Sequence, residues 1–130
     1  MNTVLSRDML LRAGFITPVL NREIDLGRPH PKTYPDVFFE VPDGRKEGVC
    51  IHLDGMSDHL HTNPQTAQQD RQIRELLRNE NYEVIEIAVG NLDDSEAMRR
   101  HFYRIGAVLL GKEQAVRIRD NPDWHSTPSR

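Results

Sequence analysis

The run Gly48-Val49-Cys50-Ile51-His52-Leu53-Asp54-Gly55 constrains the fold of this chain more than any other stretch. Val49, Cys50, Ile51 and Leu53 make it almost continuously apolar, which is the composition of a strand covered on both faces. Such a strand belongs in the middle of a sheet with helices on either side. The acid Asp54 ends the run, and Gly55 lets the backbone turn without a Cβ clash. Asp58, His59 and His61 follow within one loop. Polar groups gathered at the carboxyl end of a buried strand are where open α/β sheets place their chemistry.

The neighbouring segments supply the rest of a sheet. Pro35 opens the run Asp36-Val37-Phe38-Phe39-Glu40-Val41, whose β-branched and aromatic content reads as a strand. Pro42, Asp43 and Gly44 make a turn, so this strand and the central one are expected to form an antiparallel hairpin that folds Asp36 back toward Asp54. Asn63 and Pro64 start a helix that runs to about Asn79, with Ala67, Ile73, Leu76 and Leu77 on its inner face. Tyr82 to Val89 alternates and reads as a further strand, and a strand–helix–strand crossover makes it parallel to the central one. Asp93, Asp94 and Ser95 cap a second helix with the stripe Ala97, Met98, Phe102, Ile105, Val108 and Leu109, ending near Gly111. Before the sheet, Ser6 caps a helix that stops at Gly14, Phe15 to Leu20 is an edge strand or extended arm broken by Pro18, and residues 21–34 form a loop. The expected fold is α/β: a small mixed sheet, made of an antiparallel hairpin and a parallel crossover strand, flanked by helices. One domain spans residues 1–119, with its core in 35–110 and a polar tail in 120–130.

Bulk composition narrows the function classes. A chain of 130 residues holds a single core. Its one cysteine, Cys50, rules out an intrachain disulfide and a multi-cysteine zinc site, and its place in the central strand makes it a small hydrophobe. The net charge of -3 argues against a protein that coats duplex nucleic acid, because affinity for phosphates comes largely from Lys and Arg. No apolar run approaches the ~20 residues of a membrane span and the amino terminus has no signal-peptide pattern, so a cytoplasmic protein without membrane contact is expected.

Taken in order, Pro35-Asp36-Val37-Phe38-Phe39, then Val49-Cys50-Ile51-His52-Leu53-Asp54-Gly55, then a His-bearing loop, then Gln69-Asp70-Arg71 leading a helix into Tyr82-Glu83-Val84-Ile85-Glu86-Ile87, resembles the PD-(D/E)XK nuclease superfamily. Within it the chain is most similar to the very-short-patch-repair-like branch, modules of which also occur at the carboxyl end of helicase-related bacterial proteins, several linked to phage defence. The resemblance covers roughly residues 35–110. It implies a restriction-endonuclease-like fold and a magnesium- or manganese-dependent phosphodiesterase acting on DNA, in phage defence or repair, with a helicase-like partner or parent chain. Asp36 matches the metal-binding acid. Where the superfamily has an acid, any residue and a lysine, this chain has His52, Leu53 and Asp54. The patch-repair branch uses a main-chain carbonyl there, which corresponds to that of Leu53, and a loop histidine that assists the water, which His59 matches.

Each candidate has a plainer reading. Asp36 and Asp54 are either a metal pair or a strand-entry acid and a turn acid. Alternation puts His52 on the same face as Asp54, where it supports the site or is a core histidine with a hydrogen-bond partner. His59 and His61 are catalytic and supporting residues or a solvated loop. A zinc or iron site from His52, Asp54, His59 and His61 fits no standard spacing. Asp70 orients a site histidine or lies on the helix surface, and Arg71, Arg74 and Arg78 touch phosphates or form a solvated face. Two functions follow: a metal-dependent endonuclease domain with Asp36, Asp54 and the Leu53 carbonyl at the metal and His59 as proton acceptor, or a pseudo-nuclease that has lost chemistry and docks protein or nucleic acid.

Overall fold

The computed structural model describes residues 10, 11, 13–15, 18–54 and 64–120, with the side chains of 64–66 excepted. The elements in chain order are β1 (Val19–Leu20), β2 (Val37–Phe39), β3 (Gly48–Asp54), α1 (Pro64–Asn79), β4 (Tyr82–Ala88), a short 3-10 turn (Val89–Asp93), α2 (Ser95–Leu109) and α3 (Lys112–Asp120). They build one four-stranded mixed sheet in the order β1-β2-β3-β4, so the fold is α/β. The two-residue β1 forms one edge, beside Pro18, which cannot donate to a ladder. It pairs antiparallel with β2, and β2 pairs antiparallel with β3. The expected hairpin is present. After α1 the chain returns as β4, parallel to β3 along its whole length, with His52 opposite Glu86 and Asp54 opposite Ala88.

Period-two alternation divides the sheet into two faces, and each is covered. Val37, Phe39, Val49, Ile51, Ile85 and Ile87 point to the side of α2 and α3, where they pack with Met98, Phe102, Ile105, Leu109 and Ile118, together with Leu10 and Phe15. Phe38, Cys50 and Val84 point the other way and meet Ile73 and Leu77 of α1, with Ile24 closing that layer. The central strand therefore has apolar neighbours above and below, and Val49, Cys50 and Ile51 are fully buried. Each such aliphatic side chain contributes about 1.5–3 kcal/mol by leaving water. Burial also pushes the Cys50 thiol up to about 12, so it stays protonated and behaves as a small hydrophobe.

The helices start and stop for local reasons. Asp94 caps α2, its carboxylate accepting the backbone N–H groups of Glu96 (3.0 Å) and Ala97 (3.2 Å). Leu110 closes the helix, and Gly111 (φ 94°) turns the chain into α3 in a backbone conformation that a side chain would strain. Helix α3 occupies residues that sequence patterning leaves unassigned, because Ala115 and Ile118 are its only buried positions. It packs where Gly106 removes a side chain: a Cβ there would lie 3.2 Å from the Ala115 Cα. In α1, Ile73 and Leu77 face the sheet as expected and Leu76 is partly covered. Ala67 is exposed. Of the expected amino-terminal helix, Leu10, Leu11 and Ala13 are helical and end at Gly14, and the remainder lies outside the described residues, as does the 121–130 tail.

Candidate functional site

On the α1 side the sheet is built in transverse rows. The last apolar row is Phe38, Cys50 and Val84, which the pairing sets side by side. One step toward the carboxyl end of β3 the same register brings Asp36, His52 and Glu86 into line, and Asp54 stands one step further. The core on this face thus ends in a row made of an acid, an imidazole and an acid.

Asp36 reaches across the strand gap. Its Oδ2 accepts the backbone N–H of Leu53 at 2.8 Å. That contact fixes where the Leu53 carbonyl points. In an extended antiparallel strand the N–H and C=O of one residue face the same neighbour, so the Leu53 carbonyl is also directed at the β2 edge. The β2–β3 ladder ends at Val37 opposite Ile51, and Asp36 sits at a bend beyond it, next to Pro35. Proline has no N–H to donate. Past the end of that ladder β2 offers the Leu53 carbonyl no paired donor, and the carbonyl lies beside the Asp36 carboxylate, whose second oxygen has no hydrogen bond among the described residues.

Asp54 is placed differently from the expectation that it clasps one ion together with Asp36. Arg74 of α1 forks both of its oxygens, Nη2 to Oδ1 at 2.8 Å and Nη1 to Oδ2 at 3.1 Å, and Nη1 also donates to Glu86 Oε2 at 2.5 Å. The Arg74 side chain is only 17% exposed. Burial works against its charge, but the hydrogen bonds to Asp54 and Glu86 outweigh that and hold it firmly protonated. Both oxygens of Asp54 thus accept from a guanidinium, a partner that comes from the side of α1 on which Arg74 falls. Arg74 differs in its surroundings from the other two arginines of its face. Arg71 and Arg78 are exposed, and Arg78 pairs with Glu75 within the helix.

His52 is buried to 8% exposure, and its Nε2 has no hydrogen-bond partner among the described residues. Desolvation pushes its pKa down and the nearby Arg74 pushes the same way, while Asp36, Asp54 and Glu86 pull it up. The neutral ring is favoured. Asp70 is exposed on α1 and, with Gln69, Ile73, Arg74, His52 and Tyr34, borders a recess of about 240 Å³ between α1 and the 31–34 segment. His59 and His61 lie outside the described residues, so the structure bears on neither role.

Among the described residues no three His, Cys, Asp or Glu side chains converge as a metal ligand group. The donors that remain are one carboxylate and one main-chain carbonyl, both oxygen. Oxygen donors of this kind are the ligand type that magnesium takes, with several waters completing its shell. Glu86 and the inward role of Arg74 are the two site residues that sequence reasoning missed. The signal for Glu86 was its period-two alignment with Val84, and for Arg74 its place one turn before Leu77. No family model matches the chain, and no curated protein or solved structure matches it either.

Proposed function

We propose that this chain is a divalent-metal-dependent phosphodiesterase domain of the endonuclease type, with Asp36 and the Leu53 carbonyl as the protein's metal ligands. The observation that carries the proposal is the Asp36 carboxylate held on the Leu53 N–H at the end of the β2–β3 ladder, which sets it beside the Leu53 carbonyl. A magnesium or manganese ion there would polarise a phosphodiester and acidify a water, which is the chemistry such metals supply. The chain's own residues do the rest. The Leu53 N–H holds Asp36 in one orientation, so the carboxylate is set before any ligand arrives. The Arg74–Asp54–Glu86 cluster pins the carboxyl end of β3 to α1, which fixes the Leu53 peptide. His59, from the resemblance described above, is assigned the role of proton acceptor.

The test is cleavage of plasmid and single-stranded DNA with magnesium or manganese, comparing wild type with Asp36→Ala, alongside calorimetric titration with manganese. Metal-dependent cutting and metal binding, both lost in Asp36→Ala, are the expected results. Absence of both in the wild type, or an equally active variant, would overturn the proposal. A second reading, the pseudo-nuclease that docks protein or nucleic acid, is favoured by one specific observation. Arg74 already supplies a permanent positive charge to Asp54, the residue standing where the superfamily pattern has its lysine. Manganese binding with no cutting of any DNA would favour that reading over the first.

A further inference from the structure

We infer that the recess beside His52 is a pocket for one unpaired nucleobase, so that the domain engages single-stranded or locally unpaired nucleic acid. The inference rests on the phosphodiesterase reading only for its choice of nucleic acid as ligand, and it deepens that reading by naming strandedness. The recess of about 240 Å³ is smaller than the ~300–1,000 Å³ typical of sites for drug-sized ligands, so it has room for one ring system and not for a longer segment. Its walls suit a base. Tyr34, an aromatic residue that is half exposed, lines the recess, and its hydroxyl donates to Glu23 Oε1 at 3.2 Å. Ile73 gives an apolar floor, and Asp70 and Gln69 present hydrogen-bonding edges from α1.

The segment carrying Tyr34 is itself tied down. Ile24 and Thr33 exchange backbone hydrogen bonds of 2.8 and 2.9 Å, and Ile24 is buried in the layer under α1. The wall is therefore part of the fold. The two cations at the recess decide against an anion as its occupant. Lys32 is paired with Glu23, and Arg74 with Asp54 and Glu86, so neither has charge to spare for a phosphate. Asp70 makes no ion pair among the described residues, and a carboxylate at the rim accepts from an amino-bearing base edge, as in cytosine or guanine. The lining runs to His52, which stands in the same row as Asp36, so a base held here lies next to the proposed metal ligands.

The experiment uses the whole chain, EDTA to prevent cutting, and a single-stranded oligodeoxynucleotide carrying one 2-aminopurine. Stacking on Tyr34 is expected to quench its emission, and the same strand annealed to its complement is expected to bind much more weakly. Base–aromatic stacking is worth ~1–3 kcal/mol, so Tyr34→Ala should weaken binding about tenfold and abolish the quench, while Tyr34→Phe keeps both. Asp70→Asn should reduce the advantage of an oligocytidine over an oligothymidine competitor. Duplex binding equal to single-strand binding, or Tyr34→Ala and Asp70→Asn both binding as wild type, would overturn the inference. Because the readout is metal-free, base capture without cleavage would remove the phosphodiesterase reading and leave the pocket. Cleavage indifferent to Tyr34 would remove the pocket alone.

Discussion

Replacing Arg74 by methionine keeps most of the side chain's apolar stem and removes its charge, so it isolates what the guanidinium does. Exposed ion pairs contribute ~0–1 kcal/mol and breaking a buried one costs ~3–5 kcal/mol. Arg74 is well covered, but Asp54 is 34% and Glu86 44% exposed, and solvent screens both carboxylates. The Arg74→Met variant should therefore lose about 2 kcal/mol, which for a chain of this size is a fall of about 8 °C in Tm. Most of that loss is Asp54 left without a partner beside a second acid, so the double variant Arg74→Met/Asp54→Asn should be more stable than the sum of the single effects by about 1 kcal/mol. Urea denaturation of the four proteins at low and high salt measures this, and added salt should shrink the single variant's deficit. A variant within 0.5 kcal/mol of wild type, or strict additivity, would refute the idea that Arg74 locks the end of β3.

Three other outcomes are expected. In metal-free buffer His52 makes stability fall on the acid side: its native pKa lies below the unfolded value of about 6.5, so between the two the unfolded chain binds the extra proton. Denaturation midpoints of wild type and His52→Leu across pH 5 to 8 should show a His52-dependent loss that begins as pH falls through about 6.5 and ends below the native value. Asp94→Ala removes the cap of α2 and should cost about 1 kcal/mol by urea denaturation. Gly48→Ala puts a Cβ into the Phe38 ring and near the Phe39 carbonyl, and should cost about 1–3 kcal/mol with a change in the near-ultraviolet signal of the aromatic residues.

The strands and the long helices were legible because each has a period that survives its polar interruptions. Val49 to Leu53 is apolar enough to announce a covered strand, and the turn at Pro42 to Gly44 leaves the hairpin little alternative. Helix α3 was not legible, since two buried residues in nine make no stripe and the device that seats it is an absent side chain at Gly106. The site was legible in part. Asp36 and the Leu53 backbone meet as the hairpin requires, but the partner of Asp54 comes from α1. Arginine there reads as one more surface charge until the register of β3 and β4 places Asp54 and Glu86 on the side of the sheet that α1 covers.

That register also explains why the polar site does not unravel the core beneath it. Row by row, the α1 face passes from Phe38, Cys50 and Val84 to Asp36, His52 and Glu86 in a single step. Burying charge at such a boundary is costly unless it is paired or hydrogen-bonded. Each acid in the row has a donor: Leu53 N–H for Asp36 and Arg74 for Glu86, with the same arginine serving Asp54. The imidazole avoids the cost by staying neutral, and its buried Nε2 has no hydrogen-bond partner among the described residues. His52 Nε2 and the Leu53 carbonyl beside Asp36 lie on neighbouring residues, both at the carboxyl end of β3.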